Sequence, residues 1–144
     1  MAENPFVGSW TYRSFLNNPV LDDDPKALLQ DLLFGDGTIV IEEAPSQLLT
    51  GTIGGPGWSL ALRGSRGYGS PAQVRFQGKG LVSGEEWIYD YIGWLVPVWP
   101  SSTGALDRPA IVGSVTRTIP HSSGTGGVAP AGVVASFYAC WAGK

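Results

Sequence analysis

The chain has 144 residues, with nine lysines and arginines against twelve aspartates and glutamates, which gives a formal net charge of −3. A chain of this length is expected to form one domain with a sizeable core, and its acidic balance leaves no electrostatic surface for nucleic acid. A single cysteine and a single histidine exclude an intrachain disulfide and an ordinary zinc site. The sequence therefore predicts neither a metal nor a cofactor.

The sequence also indicates the cellular location of the protein and the positions at which the chain turns. Residues 1–5 lack the basic start and apolar core of a signal peptide, and no apolar run approaches transmembrane length. A cytoplasmic protein without a membrane partner is therefore expected. The 21 glycines and 11 prolines lie between apolar alternating runs, where they predict turns and bulges.

The first predicted strand covers residues 6–16. Phe6, Gly8, Trp10 and Tyr12 face one way, and polar side chains face the other. This alternation is typical of a strand with one buried face. The strand thus supplies three aromatic rings to the predicted interior.

A short helix is predicted over residues 25–33. Asp24 is a suitable N-cap and Pro25 a suitable first helical residue. Gly35 and Gly37 are expected to end the helix, which would act as a lid or plug between the first two strands. Four leucines form an apolar stripe along one of its faces: Leu28, Leu29, Leu32 and Leu33.

Seven further strands are predicted from apolar runs that alternate with polar residues and are bounded by turn signals. A polar, glycine-rich stretch at residues 121–131 has no periodicity and predicts an irregular, mobile loop. The seven strands cover residues 38–42, 49–53, 58–63, 73–80, 86–99, 110–119 and 133–141.

The sixth strand is the most aromatic stretch of the chain. Trp87, Tyr89, Tyr91 and Gly93 share one face, and Asp90 lies on the other. The alternation slips after Gly93, which predicts a bulge or a bend at that glycine. The strand is expected to end near the prolines that follow.

Eight short strands separated by turns favour an all-β domain that covers the whole chain. Sequential neighbours joined by short loops are expected to pair antiparallel. A closed up-and-down barrel would also remove the edge strands, which carry few lysines to protect them. We therefore predict an eight-stranded antiparallel barrel with one short helix.

A family resemblance begins at the first strand. Gly8-Ser9-Trp10 resembles the G-x-W that opens the first strand of the calycins, the group of lipocalins, fatty-acid-binding proteins and avidins. The resemblance implies a barrel that holds a small ligand in a cup. It also implies that Trp10 closes the floor, and that a basic residue of a late strand, here Arg117, packs across it.

The leading functional hypothesis is a barrel that binds a small apolar or aromatic molecule without catalysing a reaction. Aromatic side chains would form the wall, and Arg75 or Arg117 would anchor an acidic group if either turns inward. The predicted ligand-binding residues are Trp10, Tyr12, Trp58, Arg75, Trp87, Tyr89, Tyr91 and Arg117.

An alternative hypothesis is an enzyme that uses the same cup for an isomerisation or a cyclisation. Its candidate residues are Asp90, Tyr89, Tyr91 and His121. Asp90 would be a buried base if its face is inside, but inward aromatic rings favour an outside position. His121 is expected to be a solvated loop residue.

A third hypothesis is a homo-oligomer, most simply a homodimer. The low charge and the six tryptophans favour an interface. Trp94 and Trp99 follow the predicted slip, and Trp141 lies at the chain end. The alternative is that the loops at residues 97–109 and 121–131 cover these rings.

Overall fold

Eight long strands form one closed barrel in the computed structural model, which describes residues 4–16, 32–98 and 107–144. A short hairpin, β8–β9, lies between the last two barrel strands. The strands are β1 (Gly8–Phe15), β2 (Leu33–Ala44), β3 (Leu48–Gly55), β4 (Trp58–Gly67), β5 (Gln73–Val82), β6 (Glu85–Val96), β7 (Ala110–Arg117), β8 (His121–Ser122), β9 (Val128–Ala129) and β10 (Val134–Gly143).

The barrel has up-and-down topology. Strands β1 to β7 pair antiparallel with their neighbours in sequence, β7 pairs with β10, and β10 returns to β1. Closure gives each of the eight strands a partner on both sides, so the barrel has no free edge. The predicted eight-stranded antiparallel barrel is confirmed.

The start of β2 differs from the sequence prediction. Leu33, the last residue of the predicted helix, is the first residue of β2, and the rest of that helix lies almost wholly outside the described residues. Gly35 and Gly37 do not end a helix, since they pair with Ser14 and Tyr12 of β1. A side chain at Gly37 would lie 2.3 Å from the carbonyl oxygen of Gly54, so glycine permits this close pairing.

No helix among the described residues is long and apolar enough to cross a membrane. The cytoplasmic location expected from the sequence stays a prediction.

One end of the barrel, where β1 begins and β10 ends, is filled with side chains and is called here the closed end. Trp10 is fully buried there, and its indole N–H donates to the carbonyl oxygen of Phe6 at 3.0 Å. The ring of Trp141 meets Trp10 edge-on at 5.1 Å. Gly8, at φ +143°, leaves room for that ring, because a Cβ there would lie 2.3 Å from it.

The calycin resemblance implied that Arg117 packs across Trp10, and this prediction is wrong. Arg117 is the last residue of β7, which runs from the closed end to the opposite, open end of the barrel. Strand direction therefore separates the guanidinium from the floor. The partner of Trp10 is instead the aromatic ring of Trp141 on β10.

Four rings fill the middle of the barrel. Tyr91 packs against Phe76 at 5.0 Å, against Phe137 at 5.9 Å and against Tyr12 at 6.1 Å between ring centroids. Tyr12 and Phe137 are 5.8 Å apart. This aromatic layer separates the closed end from the open end.

The predicted slip at Gly93 is wrong. β6 pairs with β5 and β7 without a register shift, and the inward face continues from Tyr91 through Gly93 to Leu95. A Cβ at Gly93 would lie 3.0 Å from Ile111 Cγ2 and 3.1 Å from Phe137 Cζ. Glycine is needed here to make room for neighbouring side chains, and not to bend the strand.

We expect Gly93→Ala to destabilise the barrel by about 1–3 kcal/mol, because the added methyl overpacks the core. Urea denaturation followed by circular dichroism measures the loss. Gly67→Ala is the matched control, since the nearest atom to its added Cβ would be an ordinary 3.6 Å away. Equal stability of the two variants would contradict the packing role.

Candidate functional site at the open end of the barrel

A cavity of about 200 Å³ lies at the open end, above the aromatic layer. It lies toward the end of the barrel where β1 stops and β2 starts. Its lining is mostly aromatic and comes from β1, β2, β4 and β6. The lining residues are Tyr12, Ser14, Phe34, Gly35, Asp36, Trp58, Leu60, Trp87, Tyr89 and Tyr91.

Tyr12 and Tyr91 form the floor of the cavity. Both are buried, and their rings meet edge-on with centroids 6.1 Å apart. Loss of solvation raises the pKa of both phenols well above the ordinary value. The floor is therefore neutral and offers hydroxyl groups to a ligand.

Phe34 reaches the cavity because β2 carries a bulge. Ser14 pairs with Gly35 and Phe15 with Leu33, which leaves Phe34 without a partner on β1. Such an extra residue changes the direction in which its side chain points. The ring of Phe34 meets Tyr89 edge-on at 6.0 Å and closes one side of the mouth.

Trp58, the first residue of β4, forms another side of the mouth. Glycines on the neighbouring strands provide its space: a Cβ at Gly37 would lie 3.3 Å from the indole, and one at Gly55 would lie 3.0 Å from it. The ring is half-buried and packs against the core.

His121 lies in this site and is not a solvated loop residue. The stretch predicted as an irregular loop contains β8 and β9, and this hairpin brings His121 against β6. Only 8% of His121 is exposed. Its ring stacks on Trp87 at 4.0 Å and 13°, and its Nε2 lies 2.7 Å from the hydroxyl oxygen of Tyr89.

Hydrogen bonds define the proton positions around Tyr89. The Nδ1 of His121 lies 2.9 Å from the carbonyl oxygen of Ser122, so Nδ1 carries a proton and donates it. In a neutral imidazole, Nε2 then accepts the Tyr89 hydroxyl proton. Arg117 Nε donates to the same hydroxyl oxygen at 2.9 Å.

Arg117 places a positive charge at the rim. Its guanidinium lies 5.0 Å from the ring centroid of Phe34 and 5.7 Å from that of Tyr89, and it donates to the carbonyl oxygen of Pro130. No carboxylate of the described residues forms an ion pair with it. The charge is therefore held by aromatic faces and neutral oxygens.

Five of the eight predicted ligand-binding residues line the cavity, and Arg117 lies at its rim. Trp10 does not line it, because the ring is buried at the closed end. Arg75 is exposed outside the barrel, because Val74 and Phe76 take the inward positions of β5. The five lining residues are Tyr12, Trp58, Trp87, Tyr89 and Tyr91.

Asp90 lies outside the barrel, as the inward position of Tyr89 and Tyr91 requires. Its carboxylate accepts hydrogen bonds from Gln77 at 3.2 Å and from Thr118 at 2.6 Å. It is therefore not a buried base. Among the described residues, no group of three or more histidines, cysteines, aspartates and glutamates could hold a metal ion.

The predicted ligand-binding set left out Ser14, Phe34, Asp36 and Leu60 of the cavity lining. His121 was a candidate only for the enzyme alternative and was expected to be solvated, but it is buried. Leu60 and Ser14 continue the inward alternation of their strands, which could have identified them. Phe34 depends on a bulge, and His121 depends on a contact between residues 32 positions apart. No local pattern marks those two.

Comparison with protein-family profiles, with curated proteins and with solved structures gave no match to this chain.

The buried phenols give a prediction for alkaline pH. Because the folded pKa of Tyr12 and of Tyr91 is raised, the folded chain keeps protons that the unfolded chain loses. We therefore expect stability to be fully present below about pH 10, the ordinary tyrosine pKa, and to fall as pH rises above it.

Urea denaturation across pH 8–11 would measure this decline (~1 kcal/mol for each group per pH unit above its ordinary value). In Tyr12→Phe/Tyr91→Phe the decline should be shallower. Tyr68→Phe, at an exposed position, is the control. An unchanged slope in the double variant would show that these phenols ionise normally when folded.

Proposed function

We propose that this barrel binds a small, flat aromatic molecule at its open end. The observation that supports the proposal is a cavity of about 200 Å³ between aromatic rings, with four of them, Phe34, Trp58, Trp87 and Tyr89, at or near the mouth. Flat faces pack against such rings in stacked or edge-on geometry, and each contact stabilises by about 0.5–1.5 kcal/mol beyond area burial.

The size of the cavity limits the ligand. Sites for drug-sized molecules span about 300–1,000 Å³, whereas an apolar cavity of about 150 Å³ holds benzene. A molecule of one or two rings fits the volume of this cavity, while a long acyl chain or haem would extend far beyond it.

Polar groups define how such a ligand would be oriented. The neutral hydroxyls of Tyr12 and Tyr91 lie at the floor, and Arg117 lies at the rim without a carboxylate partner in the described chain. A ligand with a hydroxyl or carbonyl group at one end and an acidic group at the other would match both.

The proposal extends to a calycin-type relationship. It is supported by the up-and-down barrel and by Trp10 of the G-x-W, which lies at the closed end. Among the described residues, the ring that packs against Trp10 is that of Trp141 and no basic side chain is recorded there, which departs from the lipocalin pattern.

Tryptophan fluorescence titration tests the binding. We expect naphthols and naphthoates to quench emission with micromolar dissociation constants, because Trp58 and Trp87 line the cavity, and we expect long-chain fatty acids, retinoids and haem to bind more weakly. Gly35→Leu should weaken binding at least tenfold by filling the cavity, which corresponds to about 1.4 kcal/mol.

Gly67→Leu is the matched control for this titration, since Gly67 ends β4 at the closed side of the barrel. Both variants should keep the circular dichroism spectrum of the parent protein. Equal quenching in both variants, or no quenching by any aromatic compound, would contradict the proposed site.

A second candidate function is self-assembly as a homodimer. The outward positions at the closed-end half of β6, β7 and β10 carry no charge, and Trp94, Val112 and Tyr138 are direct neighbours across the three strands. Trp94 is 39% exposed and Tyr138 40%. An uncharged aromatic patch on a sparsely charged chain favours a second copy related by a two-fold axis.

Of the predicted interface tryptophans, only Trp94 supports this dimer. Trp141 packs against Trp10 within its own chain, and Trp99 lies outside the described residues.

Sedimentation equilibrium at micromolar concentration tests the dimer. We expect Trp94→Lys to shift the equilibrium toward monomer at least tenfold, because a lysine at an interface core is poorly solvated. Leu81→Lys is the control, since Leu81 is 73% exposed at the other end of the barrel. A parent protein that is monomeric at 50 µM (about 6 kcal/mol of association) would exclude the dimer.

A further inference from the structure

We propose that Tyr89 and His121 form a proton-transfer pair in the cavity wall, so that the barrel catalyses a proton shift on the ligand it binds. The substrate class is a flat carbon acid, such as an aromatic or conjugated carbonyl compound with an acidic C–H. The inference rests on the proposed function, because the substrate must occupy the same cavity.

The hydrogen bonds give the pair a direction. His121 Nδ1 is committed to the carbonyl oxygen of Ser122 at 2.9 Å, which leaves Nε2 as the acceptor of the Tyr89 hydroxyl proton at 2.7 Å. Tyr89 lines the cavity, while His121 lies behind it on the hairpin. A proton can therefore pass from the cavity to Tyr89 and from Tyr89 to the imidazole of His121, which does not line the cavity.

Arg117 completes the arrangement. Its Nε donates to the Tyr89 oxygen at 2.9 Å. Negative charge that develops on this oxygen during proton transfer would therefore face a fixed positive donor, which is how preorganised sites stabilise charge. Arg117 acts through Tyr89 and is a positioning residue.

The proposed step conserves atoms and charge. The C–H bond of the substrate breaks, its proton bonds to the Tyr89 oxygen, and the original Tyr89 proton passes to His121 Nε2. The products are a delocalised carbanion and an imidazolium. Return of a proton through the same two groups to another atom of the carbanion completes an isomerisation, and no oxidant, reductant or co-reactant is needed.

Burial favours proton transfer between Tyr89 and His121 over exchange of their protons with water. Tyr89 is 7% exposed and His121 8% exposed, and Trp87 covers one face of the imidazole at 4.0 Å. The hairpin that carries His121 is also held by Glu85, whose carboxylate accepts from the Ser122 N–H at 3.1 Å. Shielding from water strengthens electrostatic interactions within the site.

The proton-transfer pair can be tested with 5-nitrobenzisoxazole, a flat bicyclic carbon acid that opens to a coloured cyanophenolate when its C–H proton is removed. This probe reports the first half of the proposed step directly. General acid–base catalysis typically contributes about 10²–10⁴-fold, so we expect the protein to exceed the buffer rate by at least ~10²-fold.

Three variants test whether Tyr89 and His121 transfer a proton or only hold the hairpin against the barrel. His121→Gln keeps a side-chain oxygen that accepts the Tyr89 hydrogen bond but cannot take up the proton, and Tyr89→Phe removes the relay oxygen. Both should lose at least ~10-fold in kcat with little change in KM. Tyr68→Phe, at an exposed position that does not line the cavity, should behave as the parent.

The outcomes distinguish the two proposals. If the probe quenches tryptophan fluorescence but is not accelerated, or if His121→Gln keeps the parent kcat, then the proton-transfer inference is overturned and ligand binding stands. If the probe and the naphthalene compounds all fail to bind, both proposals fall. Should His121→Gln lose its native circular dichroism spectrum, Tyr89→Phe alone decides the inference.

Discussion

The closure of β1 against both β2 and β10 is the constraint on which the other features depend. Closure fixes the circumference of the barrel, so the inward side chains of eight strands share a limited volume. Large rings therefore require glycine opposite them. Gly8 faces the ring of Trp141, and Gly93 faces that of Phe137. The glycine content of this chain reflects packing inside a small barrel as much as turns.

The two ends of the barrel differ in polarity although both are aromatic. At the closed end, Trp10 uses its single polar group on a backbone carbonyl, and its neighbours are apolar. At the open end, phenol, imidazole and guanidinium groups bond one another across three strands through Tyr89. This hydrogen-bonded group of ionisable side chains lies at the open end, beside the space that a ligand could occupy. This asymmetry is why the proposed binding and proton transfer share one site.

Strict alternation allowed much of the fold, and the inward position of Tyr89 and Tyr91, to be predicted from sequence, because period two is a local signal. The same alternation gave a wrong prediction at Gly93, because the outer face is also apolar there and the outward residue Trp94 is as apolar as an inward one. The position of the Phe34 ring depends on strand register, and the end of the barrel at which Arg117 lies depends on strand direction. The burial of His121 depends on a contact with a residue distant in sequence. Such features arise only when strands have paired, so a single sequence does not encode them in any local pattern.

The hairpin of β8 and β9 contributes its histidine to the site without being part of the barrel sheet. Backbone pairing of the eight barrel strands does not involve the hairpin, so the scaffold does not depend on it for its own strand pairing. Substitutions in this short insertion would change the chemistry at the mouth while the strand pairing of the barrel stays the same. Related barrels with a different insertion between β7 and β10 would then share an architecture and differ in what they do.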